Sequence, residues 1–155
     1  MIKIHKYSKW RYLLVIMGLL FLTFAGLHST RATEAVETTL YKNPGCLCCD
    51  DYAAYLRQHD FNVTVVESPD LEQFKRAQGI PENLQGCHTL LVNGYAVEGH
   101  VPITIIEKLL HEQPETRGVS LPGMPAGSPG MTGQKQKPFE IYTFLNGEAS
   151  IYATL

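Results

Sequence analysis

Tyr41-Lys42-Asn43-Pro44-Gly45-Cys46-Leu47-Cys48-Cys49-Asp50-Asp51-Tyr52 holds three of the four cysteines of this 155-residue chain within four positions. Chance placement of buried structural thiols does not account for that density. Cys46 and Cys49 have the C-x-x-C spacing of a thiol redox pair or of half a metal site, and Cys48 adds a third sulfur that thiol exchange does not need. The extra sulfur argues for metal, because thiolates are soft ligands that select Cu(I), zinc or iron–sulfur clusters. Upstream, Thr38 to Lys42 reads as a short strand and Asn43-Pro44-Gly45 as the turn that delivers the cysteines. Downstream, Asp50 to His59 reads as a helix: two aspartates suit its positive end, and Ala53 and Leu56 begin an apolar stripe. The cysteines therefore sit at a helix N-terminus, whose field lowers a thiol pKa while the neighbouring aspartates oppose that shift.

Working outward, Phe61 to Glu67 alternates as a strand, and Ser68 with Pro69 opens a helix over about residues 69 to 78 that Gly79 ends. Thr89 to Val92 and Tyr95 to Glu98 form a hairpin around Asn93-Gly94. Pro102 opens a helix with Ile105, Ile106, Leu109 and Leu110 on one face, and a second Asn-Gly hairpin runs from Phe139 to Leu145 and from Glu148 to Ala153. Strand, helix, strand, helix, hairpin, helix is the order of an α/β, thioredoxin-like mixed sheet with flanking helices, followed here by a C-terminal β-hairpin. In that order a C-x-x-C follows the first core strand, and a proline before the next-to-last core strand lies against it. Here Cys87-His88-Thr89-Leu90-Leu91-Val92 stands at that second place, with His88 instead of proline. The alignment predicts four sulfurs and one imidazole at one spot.

The N-terminus reads as an export signal. Lys3, Lys6, Lys9 and Arg11 precede an apolar run from Tyr12 to Leu27, and small residues offer cleavage after Ala32 or Ala35. The competing reading is an uncleaved membrane anchor, for which sixteen residues fall short of the about 20 that a span needs. The expected domains are residues 1–35 as signal peptide and residues 36–155 as the metal-binding domain. Without residues 1–35 the chain keeps eight Lys+Arg against fourteen Asp+Glu, a net charge of −6. That balance disfavours nucleic acid and anionic lipid as partners and attracts cations. Export also raises the alternative of two structural disulfides, for instance Cys46–Cys49 with Cys48–Cys87, although two bridges converging on one spot staple little chain.

Residues 113–138 form a loop with five prolines and five glycines, in which Pro122-Gly123-Met124 recurs as Pro129-Gly130-Met131. Met124 and Met131 are the only methionines beyond the signal segment. A Pro-Gly-Met turn gives little core to fill, so thioether ligation stands beside incidental packing as its reading. His100, on the turn Gly99-His100-Val101, reads either as an outer ligand or as a helix-entry residue, whereas His59 and His111 near helix ends read as structural.

Three stretches resemble one family: Tyr41 to Cys49, Cys87 to Pro102 and Leu121 to Met131. They are similar to the exported, thioredoxin-like metal-binding proteins, formerly of unknown function, that include the bacterial copper-resistance protein CopG. The likeness spans the chain beyond the signal segment, and Leu47 stands where a glycine is common. The resemblance implies copper handling in the periplasm, alongside other periplasmic copper-resistance proteins, with copper bound by the cysteines of the motif. It also implies possible thiol redox activity; the residues themselves make Cys46, Cys48, Cys49, Cys87 and His88 the candidate ligands, with Met124, Met131 and His100 as further candidate donors. Charge bears on nuclearity: four thiolates around one Cu(I) leave −3, whereas bridging thiolates shared among several Cu(I) ions approach neutrality. Zinc, held by four cysteines or by three cysteines and a histidine, is the main alternative metal and fits adjacent Cys48 and Cys49 awkwardly; an iron–sulfur cluster would have to mature before or during export. The rival activity is a thiol-disulfide oxidoreductase with Cys46 as nucleophile and Cys49 as resolving thiol.

Overall fold

A computed structural model describes residues 35–155. Residues 1–34, and with them the apolar run, cleavage after Ala32 and the alternative anchor, therefore lie outside the described residues. Within them no helix is long and apolar enough to cross a membrane.

Eleven elements follow in order among the described residues. Strand β1 (Val36–Lys42), helix α1 (Leu47–Arg57), strand β2 (Phe61–Glu67) and helix α2 (Leu71–Ala77) come first, then a 3-10 turn at Glu82–Leu84. Strands β3 (His88–Val92) and β4 (Tyr95–Glu98), helix α3 (Ile103–Glu112), and strands β5 (Gly118–Ser120), β6 (Glu140–Leu145) and β7 (Glu148–Thr154) complete the chain. The strands form one mixed sheet in the order β2-β1-β3-β4-β5-β6-β7. β1 pairs parallel to β2 and antiparallel to β3, as the thioredoxin-like order requires, and β6 and β7 are the expected C-terminal hairpin.

Alternation along the strands divides the side chains between two faces. Leu40, Leu90, Val97, Val119 and Ile141 join Tyr52, Ala53 and Leu56 of α1 and Ile105, Ile106 and Leu109 of α3 in the main core. On the opposite face Ala96 and Phe144 pack with Ile80 and Leu84, and Tyr41 stacks on Phe74 of α2 with ring centroids 4.2 Å apart.

Three expectations need correction. Helix α1 begins at Leu47, not Asp50, because its start is set by the Asn43–Cys46 turn, where the Cys46 N–H donates to the Asn43 carbonyl at 3.3 Å, and not by an aspartate cap. The next helix begins at Leu71 instead of Pro69: Ser68 donates its N–H to the Lys42 carbonyl at 2.9 Å, which prolongs the strand pairing and delays the helix. The stretch 113–138 is not wholly a loop. Gly118–Ser120 pairs parallel with β4 and antiparallel with β6, and so carries the C-terminal hairpin onto the sheet.

The register places the site. Lys42, the last residue of β1, lies opposite His88, the first of β3, so the loop after β1 and the loop before β3 emerge side by side. Thr89 lies opposite Glu98, which brings the end of β4, and with it Gly99 and His100, to the same edge. Parallel pairing of β4 with β5 sends the Pro-Gly-Met loop out there as well.

Candidate metal centre

Cys46 is the N-cap of α1, and Leu47, Cys48 and Cys49 form its first turn. Lys42 fixes this turn. Its Nζ lies 2.8 Å from Asp50 and 3.5 Å from Glu67 and donates to the Cys46 carbonyl at 3.4 Å. The hydrogen bond to Asp50 comes first in holding the Lys42 ammonium above its ordinary pKa. Asp50 is thereby paired, which weakens its expected opposition to thiolate formation.

Cys46 and Cys49 form a disulfide, whereas Cys48 and Cys87 are free thiols. The two-bridge alternative is therefore not realised: Cys48 and Cys87 lie 3.8 Å apart, sulfur to sulfur, and are unbonded. Cys46 Sγ is 3.6 Å from Cys48 Sγ, and Cys87 Sγ is 3.4 Å from Cys49 Sγ. The four sulfurs converge, each within 4.8 Å of the others.

Cys87 belongs to a second set as well. Its Sγ lies 3.6 Å from His88 Nδ1 and 3.6 Å from His100 Nε2, and the three residues offer ligand atoms within 4.8 Å of one another. The structure thus places His100, the residue that leads into α3, beside Cys87. It is fully buried, and its Nδ1 lies 2.6 Å from the Pro129 carbonyl, which can only accept, so the proton sits on Nδ1. Nε2 then turns a lone pair toward Cys87, as outer hydrogen bonds arrange for metal-bound histidines. Burial lowers the pKa of both imidazoles, most strongly that of His88, where His100 and Lys75 add to the effect. Neutral rings are the form that ligates metal.

His88 Nε2 is the one buried side-chain nitrogen or oxygen without a hydrogen-bond partner among the described residues. An orphaned buried polar atom is costly, and this one lies across the ring from the Nδ1 that faces Cys87, so an ion held with Cys87 at Nδ1 would leave it unpartnered. The Cys87 thiol is pushed up to about 12, first by burial and then by Cys48. A cation among the sulfurs would reverse that effect, since metal-bound thiols are deprotonated.

Two tyrosines of α1 tie the histidine turn to the cysteine helix. Tyr52 donates its hydroxyl to the Val101 carbonyl at 2.8 Å, and the Tyr55 hydroxyl accepts the Ile103 N–H at 2.9 Å. Tyr52 also lies against both imidazoles, with ring centroids 4.6 Å from His88 and 5.2 Å from His100.

The Pro-Gly-Met loop is docked at its second turn. Besides the Pro129 carbonyl on His100, Gly130 lies on the backbone of α1 with φ +74°, where an added Cβ would stand 2.8 Å from Tyr52 N and 3.0 Å from Tyr52 Cα. Met131 directly follows this contact, while Met124 lies in the first turn with φ +45°; both are partly exposed. Gly130→Ala should lift the loop without breaking the sheet. It is expected to cost about 1–2 kcal/mol. Amide exchange should quicken across residues 121–131 and stay slow in β1 and β3; unchanged exchange in the loop would show that Gly130 does not hold it.

Sequence reasoning missed a buried charge network behind Cys87. Lys75 and Glu98 are 2% and 0% exposed, and Lys75 Nζ lies 2.5 Å from Glu98 Oε1. Burial pushes the Glu98 carboxyl up, against the pull of Lys75, Thr89 and the Gly86 N–H. Lys75 carries no sequence signal, and Glu98 reads as the ordinary polar end of a hairpin strand.

The family described as "Protein of unknown function, DUF411" matches residues 84–131, which include Cys87, His88, His100 and both Pro-Gly-Met turns but not Cys46–Cys49. No curated protein matches the chain. Two solved structures, forms 2 and 1 of "Copper resistance protein copG", match with TM-scores of 0.73 and 0.72. Each is 35% identical to this chain and covers 79% of it, and the match spans 99% and 98% of the solved chains. With that identity over essentially the full length of those structures, and the DUF411 match across its histidine and Pro-Gly-Met segments, the chain belongs to the CopG/DUF411 family.

Proposed function

We propose that this protein is an exported copper-binding protein of copper resistance, which holds Cu(I) between Cys46, Cys48, Cys49 and Cys87 with His88 and His100 as nitrogen donors. The observation that carries the reading is the convergence of four sulfurs and two neutral imidazoles on Cys87. Soft thiolates and imidazole suit Cu(I), and a fully reduced set of four thiolates favours several bridged ions over one, given the charge left on a single ion. The copper-resistance relatives support this choice over zinc. The basic, apolar and small-residue pattern of residues 1–35 supports export to the periplasm, where other copper-resistance proteins would be its partners.

The disulfide makes binding depend on redox state. Reducing the Cys46–Cys49 bond takes two electrons and two protons and yields two thiols, so the oxidised protein offers only two free sulfurs and the reduced one four. Anaerobically reduced protein is expected to take up Cu(I) at more than one ion per chain, measured by metal analysis after desalting. Protein kept oxidised should hold at most a small fraction of that. Stoichiometric zinc in protein from copper-replete periplasm, with no copper, would remove the reading.

Met124 and Met131 enter as thioether donors from the loop. Thioethers add no negative charge and do not form disulfides, which suits an oxidising compartment. Met131 directly follows the docked Pro129 and Gly130, which makes it the first of the two to test. Replacing both with leucine keeps bulk and removes the donors; Cu(I) affinity should fall about tenfold, measured against a chromophoric chelator. Unchanged affinity and stoichiometry would make the loop packing alone.

A second reading has its own observation. Cys87 Sγ stands 3.4 Å from Cys49 Sγ, so Cys87, once it has lost the proton that burial makes it hold, can attack Cys49 and release Cys46 as the thiolate. That exchange is the elementary step of a thiol-disulfide oxidoreductase. A Cys48→Ser variant that keeps full reductase activity and loses copper would separate this activity from metal binding.

A further inference from the structure

We propose that the buried Lys75–Glu98 pair is a positioning device for the metal centre, clamping Gly86 so that Cys87 is held against Cys48 and Cys49. The proposal rests on the copper reading above and adds residues that touch none of the sulfurs.

The β1–β3 ladder stops at His88, so Cys87 and Gly86 lie beyond the end of the strand, where a chain normally frays. Here the end is fastened by side chains. Glu98 Oε1 accepts the Gly86 N–H at 2.6 Å and the Lys75 ammonium at 2.5 Å, and Lys75 also donates to the Gly86 carbonyl. Glu98 Oε2 accepts the Thr89 hydroxyl at 2.5 Å, which binds the same carboxylate to β3 on the far side of Cys87. Both backbone polar groups of the residue before Cys87 are therefore held by one ion pair, and the residue after His88 is held by it too.

Stability alone gives no reason for such a pair. An apolar pair of similar volume is often as stable or more so, whereas directed hydrogen bonds fix a geometry. The geometry fixed is that of Cys87, whose sulfur must meet Cys48, Cys49 and His100 together. Gly86 completes the clamp by lying on the histidine turn. A Cβ there would stand 3.2 Å from Gly99 Cα, so the segments carrying Cys87 and His100 are set against each other.

The test is the double variant Lys75→Met/Glu98→Gln, which removes both charges and keeps bulk. In folded protein, checked by circular dichroism, Cu(I) affinity measured by competition with bathocuproine disulfonate should fall about 10–100-fold, the range that loss of outer-shell partners costs. A copper-free readout accompanies it. In a Cys46→Ser background an azodicarboxamide oxidant takes two electrons and two protons from Cys87 and its neighbour Cys49 or Cys48, becoming the hydrazine as an S–S bond forms. The double variant should slow this closure about tenfold. Wild-type affinity and closure rate in the folded variant would overturn the proposal. If the double variant does not fold, Gly86→Ala decides: it displaces the same segment and leaves both charges in place. Reduced affinity and slower closure in folded Gly86→Ala support the clamp, and wild-type values overturn it. Should the wild-type chain itself take up no Cu(I), the copper reading fails, and the closure rate still decides whether the pair positions Cys87.

Discussion

Replacing Cys87 with serine is expected to abolish assembly of the proposed copper centre. Cys87 is the one residue shared by the four-sulfur set and the Cys-His-His set, so its loss breaks both, whereas loss of Cys48 removes one sulfur from one of them. Serine keeps the volume and substitutes a hard oxygen that binds Cu(I) poorly. The Cu(I) content of reduced Cys87→Ser should drop below one ion per chain. Its affinity should fall by at least about a hundredfold, more than outer-shell losses cost. His100→Ala should retain the sulfurs and lose less. The fold should tolerate Cys87→Ser, because Cys87 is only partly buried and lies outside the strands, so a melting temperature near that of the wild type makes the metal result interpretable. A Cys87→Ser variant that bound Cu(I) with wild-type stoichiometry would move the centre away from the site described.

Gly118→Ala carries the largest expected cost in stability. Gly118 sits in the three-residue strand β5, between β4 and β6, and an added Cβ would stand 1.8 Å from the Ala96 carbonyl oxygen and 2.9 Å from Phe144 Cζ. The first clash is with backbone, which cannot rotate away as a side chain tip does. The β6–β7 hairpin reaches the sheet through β5, so displacing this strand detaches the C-terminal extension as a unit. Urea unfolding should show a loss of at least about 4 kcal/mol. Limited proteolysis should open residues 113–138 first, since a released connection becomes the accessible site. An unchanged urea midpoint would mean that β5 shifts freely and that the hairpin does not depend on it.

Much of the fold was legible because its signals are local. The alternation of Phe61 to Glu67, the two Asn-Gly turns and the apolar face of Ile105, Ile106 and Leu109 mark elements by period and turn chemistry. The start of α1 was misplaced because no cap side chain announces it. Strand β5 was invisible because three residues, Gly118-Val119-Ser120, are too few for a period, and their pairing is decided by β4 and β6.

For the candidate site, the sequence by itself determined which potential donors are present: three cysteines in four residues, Cys87-His88 before a strand, and two methionines in a repeated turn. It also supported bringing Cys87 beside the motif, through the order of strands. Only the tertiary structure decided which cysteines are bonded, that His100 turns Nε2 toward Cys87 under the Pro129 carbonyl, and that Lys75 and Glu98 fasten Gly86. For the disulfide the sequence left open only whether the C-x-x-C pair, three positions apart, is closed; for the His100 and Lys75 contacts the physical reason is sequence distance. Those contacts join residues 29 positions apart for His100 and Pro129 and 23 apart for Lys75 and Glu98. No local propensity encodes them, because the partners meet only where strand register and burial bring them together.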